Sequence, residues 1–329
     1  MGKTTIAWTN RTWNPIRGCS RISSGCSRCY AEAIAARFSK PGQPFEGFAE
    51  RRLVGVTGEE DGRIEGRWTG RVELIPEKLD EPLRWRKPAR VFVNSMSDLF
   101  HESLTSHEIG RVFATMANAP RHTFQILTKR PKRMLNFFME MSLVEAPLIL
   151  TRSAGKWPLP NVWLGVSVED QKTADERIPL LLKTPAAVRF VSYEPALGTV
   201  DFRWGGASLP EFAPHRPLPT VDWLIVGGES GPGAWPCDLA WIRSAVRQCK
   251  ESGTAAFVKQ AGSTPVDSDR ICGTFSPFDA RSIARTAALG LDPENPPNLV
   301  LLKDRKGGDP SEWPEDLRVR EFPGATNGR

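Results

Sequence analysis

No apolar run in the chain approaches the roughly 18–20 residues that cross a bilayer, so a helical membrane span is excluded from its 329 residues. The opening Met1-Gly2-Lys3-Thr4-Thr5-Ile6 lacks the apolar centre of a signal peptide. Gly2-Lys3-Thr4 has no upstream glycine, which rules out a phosphate loop. Ile6 stands where a myristoylation signal has Ser or Thr. No glycine fingerprint for dinucleotides follows the first strand-like run. There is no heptad run, and no internal repeat beyond an alternation of strands and helices. Acidic residues are slightly outnumbered, 38 against 44 Lys and Arg, for a net charge of +6. That mild excess admits a polyanionic partner without requiring one. The length is that of about two domains, or of one α/β barrel.

Cysteine is sparse but concentrated. Three of the six cysteines, Cys19, Cys26 and Cys29, fall within eleven residues at C-x6-C-x2-C spacing. Thiols gathered so closely without a secretion signal are expected to be reduced, in the cytoplasm. They are suited to hold a metal or an iron–sulfur cluster. A structural zinc site wants four ligands, and Cys237, Cys249, Cys272 or a histidine could complete one. Three ligands alone leave a coordination position open for something reactive. Otherwise Cys237, Cys249 and Cys272 read as small buried hydrophobes.

The remainder alternates short apolar strands with helical patterns. Strands are expected at 90–94, 123–127, 162–167, 188–192, 223–227 and 255–258, after a first short run ending near Trp13. Helices are expected at 29–38, 106–118, 131–141, 178–182 and 238–251, with Pro131 at the favoured first position. Near-continuous apolar strands imply a parallel sheet buried on both faces. The expected fold is α/β, a partial (β/α)6-type parallel barrel over residues 1–262. Residues 40–80 form an insertion with a hairpin near Trp68–Leu74. Residues 263–329 form an irregular extension with a second hairpin, 298–302 against 317–322.

In such a barrel the reactive groups follow the strands at their C-terminal ends. The cysteine loop does so after the first strand, Ser97 and Asp98 after the second, and Thr128-Lys129-Arg130 after the third. Glu169, Tyr193-Glu194 and Gly228-Glu229 follow the later strands. Strand ends are polar in general, so several of these positions read equally well as solvated loop, and His101 as a surface histidine. Lys129, Arg130, Lys132 and Arg133 form the sharpest basic cluster, suited to phosphate contacts or to a solvated helix face. Some of the eleven tryptophans could stack bases, although core packing accounts for most.

The cysteine loop with its following Tyr30-Ala31-Glu32, Met96–His101, Ile126–Pro131, Asn161–Glu169, Ser192–Pro195, Asp222–Pro232 and Val258–Gln260 occur in a familiar order. Over residues 4–262 they resemble a phage-associated family of unknown function in the radical S-adenosylmethionine (SAM) superfamily. The resemblance implies that Cys19, Cys26 and Cys29 bind three irons of a [4Fe-4S] cluster and that SAM fills the fourth. Reductive cleavage of SAM would then give a 5′-deoxyadenosyl radical that abstracts a substrate hydrogen. The superfamily's usual cysteine spacing is x3-x2, so x6-x2 departs from it.

The blocks after the second to fourth strands are most similar to spore photoproduct lyase and its relatives, which repair DNA. Ser97 and Asp98 match the Ser/Thr-Asp pair of those proteins, with Asp98 facing the SAM amino group. Tyr30 and Glu169 join them as cofactor-binding candidates. Those lyases place a donor cysteine just before the pair. Here Asn94-Ser95-Met96 has none, so Tyr193 or Cys237 would return the hydrogen. The implied function is a lyase-type radical SAM enzyme acting on nucleic acid, most concretely repairing DNA photolesions. Its electron donor would be a flavodoxin or ferredoxin, and the phosphates would meet Lys129, Arg130, Lys132 and Arg133. Two rivals stand beside it: a radical SAM enzyme acting on a nucleotide, peptide or small molecule, and a non-catalytic, zinc-stabilised nucleic-acid-binding protein.

Overall fold

Strands apolar along their whole length need cover on both faces, which helical crossovers between parallel strands supply. The computed structural model, which describes residues 4–54, 63–143, 157–202, 221–231, 233–269 and 300–324, has this architecture. Its first half contains β1 (Arg11–Trp13), β2 (Ile16–Arg17), α1 (Tyr30–Arg37), β3 (Ala49–Val54), β4 (Arg63–Trp68), β5 (Glu73–Leu74), β6 (Arg90–Val93), α2 (Ser106–Ala117), β7 (Thr123–Thr128) and α3 (Pro131–Leu143). There follow β8 (Val162–Val168), α4 (Gln171–Lys183), β9 (Val188–Tyr193), β10 (Trp223–Gly227), β11 (Cys237–Asp238), α5 (Leu239–Ser252), β12 (Ala255–Gln260) and β13 (Pro265–Val266). No helix among the described residues is long and apolar enough to cross a membrane.

Seven strands make one sheet in the order β1-β6-β7-β8-β9-β10-β12. The registered pairs β1/β6, β6/β7, β7/β8, β9/β10 and β10/β12 are all parallel. Each strand takes the next place in chain order, so the winding never reverses. A doubly wound nucleotide-binding sheet would reverse it. The fold is therefore α/β with a singly wound parallel sheet, compatible with a partial barrel. The chain divides into two compact units, Met1–Val166 with Leu180–Arg189, and Ser167–Pro179 with Phe190–Arg329.

In the first unit α2 opens on a reciprocal cap. The Thr105 hydroxyl accepts from the Glu108 N–H, and the Glu108 carboxylate accepts from the Thr105 N–H at 2.9 Å. Its apolar face, Ile109, Val112, Phe113 and Met116, is fully buried. Phe113 stacks on Phe137 at 5.4 Å and meets Phe138 and Trp157 edge-on. The inserted hairpin is antiparallel β3 with β4, while β5 pairs with β2, so the expected Trp68–Leu74 hairpin is displaced toward the N-terminus. Its position follows from small residues on α1. A Cβ on Gly66 would stand 2.7 Å from the Glu32 carbonyl and 2.9 Å from the Ala36 Cβ, so only glycine lets the strand lie there.

In the second unit, the expected hairpin of the extension is replaced by an edge cover. Residues 298–299 lie outside the described set, and 300–302 form no strand. Residues 319–321 instead run beside β12: the Val258 N–H donates to the Val319 carbonyl at 2.8 Å and the Glu321 N–H to the Ala256 carbonyl at 2.8 Å. An outermost strand exposes unpaired backbone groups, and this segment satisfies them. Trp223 adds a bond from its indole N–H to the Glu321 carbonyl at 2.9 Å.

The aromatic cluster predicts a large response to truncation. Phe113→Ala should cost about 3–5 kcal/mol, read as a lower urea midpoint at unchanged slope. A loss below about 1 kcal/mol would mean that the cluster refills the space and does not anchor α2.

Candidate functional site

The cysteine loop leaves the sheet through a position that only glycine can hold. Gly18 has φ +89°, and a Cβ there would lie 1.9 Å from the Arg71 carbonyl oxygen. Gly18 bridges in parallel to Ser97, just past β6, and the Ser97 hydroxyl donates to the Ile16 carbonyl at 3.0 Å. The loop then makes a single 3-10 turn, Ser24–Cys26, and Cys29 caps the start of α1. Cys19, Cys26 and Cys29 are half-buried and free of disulfides.

Burial pushes the Cys19 thiol up to about 12, the Asp98 charge adds to the rise, and the Arg130 guanidinium opposes it. Cys29 is raised by burial too, against the N–H groups of Glu32 and Ala31 in the first turn of α1. Those N–H groups favour a thiolate. Cys29 acts electrostatically on Cys19, and Cys26 on Cys29.

Arg130 is the centre of the arrangement, 5% exposed. Its guanidinium donates to Asp98 at 3.1 Å, to Glu102 at 2.8 Å, and to the Ser20 hydroxyl and carbonyl at 2.8 and 3.2 Å. One nitrogen lies 4.0 Å from the Cys19 sulfur. Burial works against this charge, but Asp98, Cys19 and Glu102 outweigh it and raise the Arg130 pKa. Asp98 is held in turn: Oδ1 accepts from the Thr128 hydroxyl at 2.7 Å and the Phe100 N–H at 3.0 Å, and Oδ2 from the Lys129 N–H at 3.1 Å.

His101 completes the group and is buried, 4% exposed. Its Nδ1 accepts from the Ser103 N–H at 3.2 Å, so Nε2 carries the proton and donates to the Ser20 hydroxyl at 2.8 Å. Burial and the Arg130 charge lower its pKa, which keeps the ring neutral.

Tyr30 is exposed, with its hydroxyl donating to the Ser95 carbonyl. Lys132 is exposed, while Lys129 is half-buried. Arg133 is half-buried and donates to the Ser106 hydroxyl at 3.0 Å, with Glu140 at 3.7 Å. All of these belong to the first unit.

In the second unit Glu169 is fully buried and paired with Arg177 at 3.1 Å. Tyr193 is buried, donates to the Gly198 carbonyl, and has its pKa raised by burial. Cys237 is buried beneath Gly228, whose missing Cβ would meet the Cys237 Cβ at 2.7 Å. The Gly227-Gly228 pair is thus accounted for by close packing. Glu194, at the end of β9, pairs with Lys259 at 2.8 Å and accepts from the Ser192 hydroxyl at 3.0 Å.

Reading the sequence misses Ser20 and Glu102 as partners of Arg130, and takes His101 for a surface residue. The usable signal was the register of adjacent strand ends. Val93 pairs with Ile126, so Asp98 and Thr128-x-Arg130 leave neighbouring strands together.

By donor type the trio is of the kind that holds an iron–sulfur cluster or a metal: three thiols free of disulfides, with a fixed cation beside the first. Among the described residues no three His, Cys, Asp or Glu side chains already stand together as a ligand group. The fold and this loop define a class, a singly wound parallel α/β protein carrying a thiol-rich strand-end loop. The pattern of a family described as a protein of unknown function (DUF5131) matches residues 3–293, and the chain belongs to that family. No curated protein and no solved structure matches it.

Removing Arg130 should loosen the loop and strand its partners. Arg130→Met should lower stability by about 3 kcal/mol, because it leaves Asp98 buried without its counter-charge. Arg130→Lys should lose less, keeping the charge but not the fork. Equal urea midpoints for wild type and Arg130→Met would refute this. In the second unit, burial lifts Cys237 from 9.0 to about 12. The buried thiol therefore contributes stability below pH 9 that is lost as pH rises toward 12. Thermal melts across that window should fall less steeply in Cys237→Ala than in wild type.

Proposed function

We propose that this protein is a radical SAM enzyme on a partial β/α barrel, working in the cytoplasm on nucleic acid. DNA photolesion repair of the spore photoproduct lyase type is its most concrete version. One observation carries the reading: three free thiols on a strand-end loop, with a buried arginine fixed beside the first. When bound by Cys19, Cys26 and Cys29, a [4Fe-4S] cluster would supply one-electron reductive cleavage of SAM, fed by a flavodoxin- or ferredoxin-type donor.

The chain's own residues have separate tasks. Arg130 offsets the negative charge that three thiolates bring into a half-buried loop. Asp98 aims Arg130, and Thr128, Phe100 and Lys129 aim Asp98. Four donors already bind Asp98, so a SAM ammonium would join an occupied carboxylate, while among the described residues nothing donates to the Ser97 hydroxyl oxygen. Neutral His101 holds Ser20 and contributes no further charge. Tyr193 and Cys237 are the candidate hydrogen donors. Burial keeps Cys237 protonated at neutral pH, the state such a donor needs.

Anaerobic reconstitution with iron and sulfide tests the reading. The expected product is a brown protein that forms 5′-deoxyadenosine from SAM on reduction and loses both properties in Cys26→Ala. A colourless protein holding one zinc and leaving SAM intact would sink the enzyme reading and favour a zinc-stabilised binding protein. With SAM cleavage established, restoration of thymine in UV-irradiated DNA tests the repair version. Failure across all lesion types would redirect the search to another substrate.

A further inference from the structure

Four of the eight large apolar side chains exposed among the described residues fall in one short stretch: Ile22, Tyr30, Ile34 and Phe38. Tyr30, Ile34 and Phe38 recur every fourth residue along α1 and its C-terminal cap, so they line one side of the helix. The opposite side buries Ala31, Ala35 and Ala36. Tyr30 and Phe38 are 53% and 44% exposed. Ile22 sits on the cysteine loop, which the Arg21–Glu32 ion pair ties to the same helix.

The charge on this stretch has one sign at the surface. Arg28, Arg37 and Lys40 are exposed, whereas the one carboxylate between positions 20 and 42, Glu32, is buried against Arg21. A second copy of the chain would bring like charges together there. Exposed rings interleaved with cations suit single-stranded nucleic acid, whose phosphates seek the cations and whose unpaired bases stack on aromatic faces. In the Lys129–Arg133 segment Lys132 is exposed and Lys129 half-buried. Arg130 is buried, and Arg133 is bonded to Ser106 and Glu140.

We propose that the exposed side of α1, with the cysteine loop before it, is a docking surface for single-stranded nucleic acid. Phosphates meet Arg28, Arg37 and Lys40, and bases stack on Tyr30 and Phe38. The inference rests on the nucleic-acid reading above and specifies its binding surface. It also implies that the substrate base is offered unpaired, beside the cysteine loop.

The test is fluorescence anisotropy of the full-length protein with labelled oligothymidylate over a series of salt concentrations, alongside SAM cleavage without nucleic acid. Phe38→Ala should weaken binding roughly tenfold at unchanged salt slope. Arg37→Ala and Lys40→Ala should each flatten the slope by about 0.7. All three should fold, load iron and cleave SAM as wild type does. Wild-type binding that all three variants retain would overturn the surface and leave the nucleic-acid reading standing. Intact SAM cleavage with no oligonucleotide binding by wild type, even at low salt, would overturn both the surface and the nucleic-acid reading. If the variants instead change oligomeric state, or lose affinity for an acidic protein while keeping that for oligothymidylate, the surface belongs to a protein partner and the proposal fails.

Discussion

A single buried guanidinium joins three segments that are remote in sequence. Arg130 follows β7, Asp98 and Glu102 follow β6, and Ser20 lies in the cysteine loop. A cation that is almost wholly buried is costly unless each N–H finds an acceptor. The acceptors here come from the other two segments at once, so the charge can be buried only if the loop and the two strand ends are in register. This constraint couples the position of Cys19 to the sheet. The sulfur stands near Arg130 because Ser20, its immediate neighbour, is bonded to the same guanidinium.

The network is layered rather than flat. Asp98 takes donors from Thr128, Phe100 and Lys129 on its two oxygens and still pairs with Arg130. A carboxylate so heavily bonded is fixed in orientation. Glu102 differs: its side chain is 65% exposed while the Arg130 side chain it pairs with is 4% exposed. Loss of Glu102 would be compensated by water, whereas loss of Asp98 would leave a buried cation short of its main partner. The two acids that share one arginine therefore contribute unequally.

Much of the fold is legible in the sequence because its strands are short apolar runs between clear helix signals. Pro131, for one, marks the start of α3. The elements that escape such reading depend on partners far away in the chain. The β3–β4 hairpin is positioned by alanines of α1 against Gly66, and neither segment signals this alone. Residues 319–321 are irregular in composition, yet they cover β12 because an edge strand needs partners. At the site, the cysteine spacing is visible in one dimension, but Arg130 looks like one more charge in a basic run. Its burial follows only from the β6–β7 register, which brings Asp98 and Thr128 together.

The wide first gap of the cysteine loop acquires a physical reason in this setting. Six residues between Cys19 and Cys26 would ordinarily mean a slack loop, costly to order around any ligand. Two of the six are anchored instead. Ser20 is held by Arg130 and His101, and Arg21 by Glu32, whose other oxygen accepts the Trp68 N–H at 2.8 Å. The gap thus spends its length in reaching two fixed points, the strand-end network on one side and the α1–hairpin layer on the other. Ser23 and Ser24 then close the turn through the N–H groups of Cys26 and Ser27. Such a loop is largely ordered by the protein's own contacts, so little chain entropy remains in it. The anchoring thus fixes Cys19 beside Arg130 at one end of the gap and Cys26 in the 3-10 turn at the other.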